Sequence, residues 1–212
     1  MSGPDRPLPR LVAASNEDLL TTPGFLGRLD ELLVAGCPVV WLRAGRIGAG
    51  RYLAIAEEAA GRCAAHGAEL WVGDRADVAA AVGADGVHLP EDGLPVEAAR
   101  RIVGEDARIG RSVHGVAAAA DAVGEGADHL VVGTIYATAS HPGIEPAGPA
   151  RLHLVAEAIA PAPVPLIAIG GITPERTGEA LAAGAHGVAA LRALWAAPEP
   201  AGAVAAFLEA LH

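Results

Sequence analysis

Short apolar runs recur along the chain, and longer stretches with apolar residues at helical spacing separate them. The runs cover residues 10–14, 39–43, 69–72, 85–89, 111–114, 129–132, 164–169 and 187–191. Each is too short for a buried helix and too uniformly apolar for a half-exposed strand, so each reads as a strand buried on both faces. Between them, Leu26, Leu29, Leu32 and Leu33 repeat at helical spacing until Gly36, with Thr22 placed to cap a helix starting near Pro23. Further helices are expected over 51–66, 77–82, 95–103, 116–123, 150–159, from Thr173-Pro174-Glu175 to Gly184, and over 201–211. Almost every helix stops at a glycine.

Eight strands alternating with helices imply a parallel sheet with helices on its faces. Turns of the form Gly-Ala-Asp-Gly, Gly-Ala-Asp-His and Gly-Ala-His-Gly precede the fourth, sixth and eighth runs as a weak internal repeat. In 212 residues this fits one compact (β/α)₈ TIM barrel, a single domain over 1–212 with a flexible stretch at 1–9. The rival is a doubly wound open sheet. It would carry a glycine-rich turn after the first strand, and none stands there.

Composition narrows the partners. The chain is 52% hydrophobic but only 3% aromatic, so an aliphatic core is expected. Its net charge of −10 argues against nucleic acid or an anionic membrane as partner and leaves room for a local basic site; the small-molecule phosphate substrate expected for this chain rests on motifs at the strand ends, not on charge. All 15 basic residues are arginine, which excludes Schiff-base chemistry from a lysine side chain. Cys37 and Cys63 form no C-x-x-C pair and read as small buried hydrophobes of a reducing compartment. The polar, proline-rich N-terminus has no signal-peptide core and no apolar stretch is of spanning length, so a cytoplasmic location is expected; a homo-oligomer is left open.

In such a barrel the chemistry belongs at the C-terminal strand ends. These carry Arg43, Asp74, His88, Ser112 with His114, residues 138–141, Gly170-Gly171 and Arg192. The run at 129–132 leads into a loop bearing Thr138, Ser140 and His141, closed by Pro142-Gly143, which suits an anionic small molecule. Ile169-Gly170-Gly171-Ile172, just before a helix start, has the form of a phosphate-binding turn; the plainer reading is a tight turn without ligand. His88 reads as structural, and His129, His153, His186 and His212 as without function. No His/Cys/Asp spacing matches a zinc site.

Together, several motifs resemble the thiamine phosphate synthase/TenI family over nearly the whole chain. They are Val40-Trp41-Leu42-Arg43, Gly73-Asp74-Arg75-Ala76-Asp77, Gly83-Ala84-Asp85-Gly86-Val87-His88-Leu89, Gly110-Arg111-Ser112-Val113-His114, the stretch from Gly133 to Gly143, and Ala168-Ile169-Gly170-Gly171-Ile172-Thr173-Pro174-Glu175. The resemblance implies one of two activities. A synthase joins a pyrimidine pyrophosphate to a thiazole phosphate with Mg²⁺; a TenI-like tautomerase aromatises a carboxythiazole phosphate without metal. Departures from the synthase pattern decide between them here. Trp41 replaces a Gln, Gly45 and His141 replace lysines, Gly73 replaces an Asn, and Gly93 stands where a metal-binding Asp is expected, with Asp92 one place off. Arg43 and Asp74 are retained.

The reading favoured on these grounds is the tautomerase. It needs no cofactor, with His114 as the acid–base residue. Arg43, Ser112, Thr138, Ser140, His141, Gly170, Gly171 and Arg192 are expected to bind substrate and phosphate. Two rivals stand beside it: a synthase with Mg²⁺ on Asp74, and a non-catalytic phosphate-ligand binder or regulatory protein on the same barrel.

Overall fold

A computed structural model describes residues 6–43, 45–138, 143, 145–162 and 164–212. The eight strands are β1 (Leu11–Ala14), β2 (Val39–Leu42), β3 (Glu69–Gly73), β4 (Gly86–Leu89), β5 (Arg108–Val113), β6 (His129–Val132), β7 (Leu166–Ile169) and β8 (Gly187–Ala190). They pair in sequence order, all parallel, and β8 closes on β1. The helices are α1 (Glu17–Thr21), α2 (Phe25–Val34), α3 (Ala49–His66), α4 (Ala76–Val82), α5 (Val96–Val103), α6 (Val116–Gly124), α7 (Gly148–Ile159), α8 (Pro174–Ala182), α9 (Arg192–Trp195) and α10 (Pro200–Ala210). The architecture is the single-domain (β/α)₈ barrel, not the open sheet. Among the described residues no helix is long and apolar enough to cross a membrane.

Three local features differ from the pattern-based reading. The helix expected near Pro23 is two helices. The Asn16 side chain accepts from the Leu19 amide to cap α1, and α2 starts after Gly24, whose φ of 90° turns the chain. Thr22 therefore ends α1 instead of starting α2; its hydroxyl donates to the Asp18 carbonyl at 2.7 Å. β5 begins at Arg108, three residues before the expected start at 111, because Arg108 faces inward onto Glu69, Nε to Oε2 3.3 Å. The four-residue α9, directly after β8, is too short to leave a periodic signal.

The layer between strands and helices is mainly aliphatic, with Leu29, Leu32, Leu70, Ile109, Leu130 and Leu152 fully or almost fully buried beside Phe25, Tyr52, Trp195 and Phe207. Inside the barrel two tryptophans pack on two histidines. Trp41 lies against His88 with centroids 4.2 Å apart, and Trp71 against His129 at 4.4 Å. Polar groups close the opposite, N-terminal end. Trp71 donates to Glu69 at 2.9 Å, and Arg6 pairs with Asp85 at 3.0 Å. In the N-terminal stretch Leu8 is buried beneath the ring. The thiols of Cys37 and Cys63 are buried and free, and burial pushes both up to about 12.

Two outcomes follow from this interior. A Cβ at Gly110 would run into the rings of both His88 and His129. Gly110→Ala is therefore expected to destabilise the fold by roughly 1–3 kcal/mol, read from urea unfolding; an unchanged midpoint would show that the rings are not packed on this glycine. Second, burial, then the charges of Arg108 and His186, push His129 from 6.5 down to about 3, and burial acts on His88 in the same direction. Between those values the unfolded chain binds the additional proton, so this stability is complete above pH 6.5 and is lost as pH falls toward 3. The urea midpoint should drop between about pH 7.5 and about pH 5.5, and His129→Leu should shrink that drop.

Candidate active site

The parallel ring puts every strand's C-terminal end on one face, so the loops after β2, β3, β5, β6, β7 and β8 converge there. A cavity of about 790 Å³ opens on this face. Its floor is the top of the barrel interior, Trp41, Val131, Ile169 and Ala189. Around it stand Arg43, Ser112, His114, Thr138, Gly170, Gly171, Arg176 and Arg192. Of the expected substrate-binding residues, the structure brings Arg43, Ser112, Thr138, Gly170, Gly171 and Arg192 together there. Ser140 and His141 lie outside the described residues.

Arg43 leaves the end of β2 half-buried. Its Nε donates to the Ser15 carbonyl at 2.7 Å, and its guanidinium lies 5.1 Å from the centre of the Trp41 ring. Burial holds its pKa below the usual arginine value. Two positions on, Gly45 has φ of 57°, and a Cβ there would meet the Glu17 carboxylate, which also accepts from the Arg46 amide at 2.6 Å. A side chain at 45 would have to adopt this positive φ and displace the Glu17 carboxylate. Gly93 is similarly placed, since a Cβ would come within 2.8 Å of the Pro90 ring.

On the opposite wall, Gly170 and Gly171 have φ of 99° and 62°. A Cβ at Gly170 would lie 2.6 Å from Thr134 Cγ2, and one at Gly171 would lie 2.6 Å from the Ala137 carbonyl oxygen. These glycines let the loop after β6 pack directly over the loop after β7. Their missing side chains make room for protein, and the ligand-facing wall follows from that packing. Arg176, from the first turn of α8, leans across this junction. It donates to the Gly171 carbonyl at 2.7 Å and stacks 4.8 Å from the centre of the Tyr136 ring, while the Tyr136 hydroxyl donates to Glu179 at 2.6 Å. Arg192 opens α9, where the first backbone amides have no intrahelical acceptor.

Arg176 escaped the sequence reading. Its signal was a cation six residues beyond Gly170, on the first turn of the helix that follows the glycine pair, a place where a side chain turns back toward the strand end. Among the described residues, Arg43, Arg176 and Arg192 form no ion pair, and no carboxylate lines the cavity. Three arginines around one apolar floor give this face a local positive charge in a chain of net charge −10.

His114 stands at the rim with its side chain 62% exposed. Glu91 accepts from its backbone amide at 2.6 Å and lies 2.9 Å from Nδ1, which directs Nε2 away from Glu91. Asp74 ends β3 with φ of 63° and an exposed side chain, and its amide donates to the His88 carbonyl at 2.8 Å. It shares the face with the cavity without lining it. Among the described residues no three His, Cys, Asp or Glu side chains cluster as a ready metal cage. One or two carboxylates per ion suit Mg²⁺, which takes its remaining ligands from substrate phosphates and water.

The sequence profile described as thiamine monophosphate synthase matches residues 11–194. The chain is 44% identical over 182 residues to the thiamine biosynthesis bifunctional protein ThiM/ThiE of Symbiobacterium thermophilum, covering 85% of this chain and 37% of that protein. It is 43% identical over 178 residues to the thiamine-phosphate synthase of Haloquadratum walsbyi, covering 82% of this chain and 78% of that one. The structure of thiamine phosphate pyrophosphorylase from Pyrococcus furiosus superimposes with a TM-score of 0.81 at 26% identity, over 95% of both chains.

These similarities overturn the tautomerase assignment and the isomerase class that went with it: the relative at 43% identity is named a thiamine-phosphate synthase, and the superimposed structure is that of a thiamine phosphate pyrophosphorylase. The physical reason lies in the clamp. The missing lysines at positions 45 and 141, counted against the synthase, do not leave the cavity without cations, since Arg43, Arg176 and Arg192 surround it. An exposed imidazole at the rim does not outweigh them.

Arg176→Ala and Arg192→Ala should each weaken inorganic phosphate binding about tenfold, the usual weight of a charge-assisted hydrogen bond, in calorimetric titrations. Unaltered affinity in both variants would remove the anion from this wall.

Proposed function

The chain belongs to the thiamine monophosphate synthase family, and from that premise we propose that it joins a pyrimidine diphosphate to a thiazole phosphate, releasing pyrophosphate. The observation that carries this is the cavity with three arginines that, among the described residues, form no ion pair and share its lining with no carboxylate. Its volume of about 790 Å³ suits two small substrates held side by side.

In this reading the thiazole phosphate lies against the loops after β7 and β8. Arg176 and Arg192 supply charge there, and the Gly171 backbone and the first turn of α9 supply amides. Arg43 and Ser112 take the diphosphate, with Thr138 beside them. The Trp41–Ile169 floor keeps water from beneath the reacting atoms. The thiazole ring nitrogen attacks the pyrimidine methylene carbon. A C–N bond forms, the C–O bond breaks, and its electron pair leaves with pyrophosphate. No proton has to be removed from the nucleophile, so the step needs no general base, and His114 serves as a rim group held by Glu91.

Asp74, with Asp92 on the neighbouring turn, would hold Mg²⁺, which neutralises charge building on the departing phosphates. The protein's own share is electrostatic: fixed guanidinium groups aimed at the position where negative charge grows.

With both substrates and Mg²⁺, the purified protein is expected to produce thiamine phosphate. Arg43→Ala should lower kcat by roughly 10²–10³, the typical weight of one group stabilising developing charge. Asp74→Asn should raise the Mg²⁺ concentration needed for half-maximal rate. A protein that binds phosphate yet forms no product would make the non-catalytic binder the better account.

A further inference from the structure

The Ser112 hydroxyl, on the wall assigned to the diphosphate, has a fixed partner inside the barrel. That partner is His88, an inward residue of β4; its Nε2 lies 2.9 Å from Ser112 Oγ. His88 is 2% exposed, and its other ring nitrogen, Nδ1, is buried without any hydrogen-bond partner. The ring is packed by Trp41 on one side and, at 5.6 Å between centroids, by His129.

We propose that His88 is a positioning residue: its Nε2–H donates to Ser112 Oγ and so turns the Ser112 hydroxyl proton into the cavity, toward the diphosphate. The inference deepens the synthase reading and rests on its anion pocket, though not on turnover.

Two independent arguments choose this tautomer. A neutral imidazole has one N–H and one bare nitrogen. Placing the hydrogen on Nδ1 would bury an N–H with nothing to receive it, the rarer and costlier kind of orphan; placing it on Nε2 leaves only an unused lone pair at Nδ1. The ring is kept neutral by burial, by His129 and by the nearby charges of Arg43 and Arg111, so a doubly protonated form does not compete. The second argument is electrostatic. If Ser112 donated to His88, its oxygen lone pairs would face an anion across a cavity that otherwise presents guanidinium groups. With the histidine as donor, the hydroxyl becomes a further donor to that anion. Both arguments place the hydrogen on Nε2, and neither uses the other.

The inference also assigns a use to two features that packing alone leaves idle. Gly110 clears space for both buried histidine rings. The His88 carbonyl holds the Asp74 amide at 2.8 Å, so the residue that aims Ser112 also fixes the end of β3.

The test reads both the tautomer and its consequence. In ¹⁵N-histidine-labelled protein, long-range ¹H–¹⁵N spectra, assigned by the signals lost in His88→Gln, should show His88 neutral and protonated at Nε2. An Nδ1-protonated or charged ring overturns the proposal. Inorganic pyrophosphate is then titrated by calorimetry into wild type, Ser112→Ala, His88→Phe, His88→Gln and the Ser112→Ala/His88→Phe double variant. Ser112→Ala and His88→Phe should each weaken binding about tenfold, the worth of one hydrogen bond to a charged group, and the double variant should be no weaker than Ser112→Ala. His88→Gln, whose side-chain amide can donate from near the Nε2 position, should recover most of the affinity. Equal losses from His88→Phe with and without Ser112 would mean the residue only packs, and would overturn the proposal. So would a wild-type protein without measurable pyrophosphate affinity. Should His88→Phe fail to fold, the spectra and His88→Gln still decide. If the cycle holds but no thiamine phosphate forms, the synthase reading fails and this inference stands.

Discussion

The constraint on which the rest of this barrel depends is room inside a ring of very short strands. Large inward side chains can enter only where a neighbouring strand has no side chain at all. A Cβ at Gly73 would sit 2.8 Å from the Leu42 carbonyl and 3.2 Å from Trp41 Nε1; one at Gly86 would sit 3.0 Å from the Trp71 ring; one at Gly133 would sit 2.5 Å from Ile169. Gly110 does this twice, because His88 from one side and His129 from the other converge on it. The rings plug the barrel from its N-terminal end up to Trp41 and Ile169, and the cavity begins where the plug stops. Interior packing therefore sets the depth of the site.

Charge is sorted along the same axis. At the N-terminal end arginines are spent on partners: Arg6 on Asp85, Arg100 on Asp128, Arg108 on Glu69. At the mouth Arg43, Arg176 and Arg192 have no such partner among the described residues. A total of −10 thus coexists with a local positive field, because the acids pair elsewhere or face solvent. Low-dielectric walls strengthen such a field for a small anion and leave it invisible to a long polyanion.

The strands and their order were legible because a strand buried on both faces writes its whole length as apolar letters. What occupies the inside of the ring was not, since Gly73, Gly86 and Gly110 look like any turn or strand-end glycine until the neighbouring rings are seen. The site was legible one strand end at a time. Arg43, Ser112, Gly170 and Arg192 were named from their place after a run, but Arg176 sits in a helix and had no motif to mark it. The error over the reaction has the same origin. Replacement of lysine at positions 45 and 141 was counted as loss of charge, whereas the Gly45 loop is closed by the Glu17 carboxylate and compensating cations enter from α8 and α9. Linear comparison counts substitutions at matched positions; a pocket sums charge over whatever strand ends reach it.

An arginine-only chain has a physical consequence for such a pocket. Arg43 is half-buried against an indole ring, where desolvation lowers the pKa of any cation. A lysine there starts at about 10.4 and can be discharged by burial of this kind, whereas a guanidinium starts well above that and stays charged. Its planar fork also gives paired donors to a phosphate in place of a point charge. Chemistry that takes no proton from its nucleophile asks a site for permanent positive charge and well-aimed donors, not for a base. Buried neutral histidines and fixed guanidinium groups divide that work: His88 supplies direction without charge, and Arg43, Arg176 and Arg192 supply charge that burial does not remove.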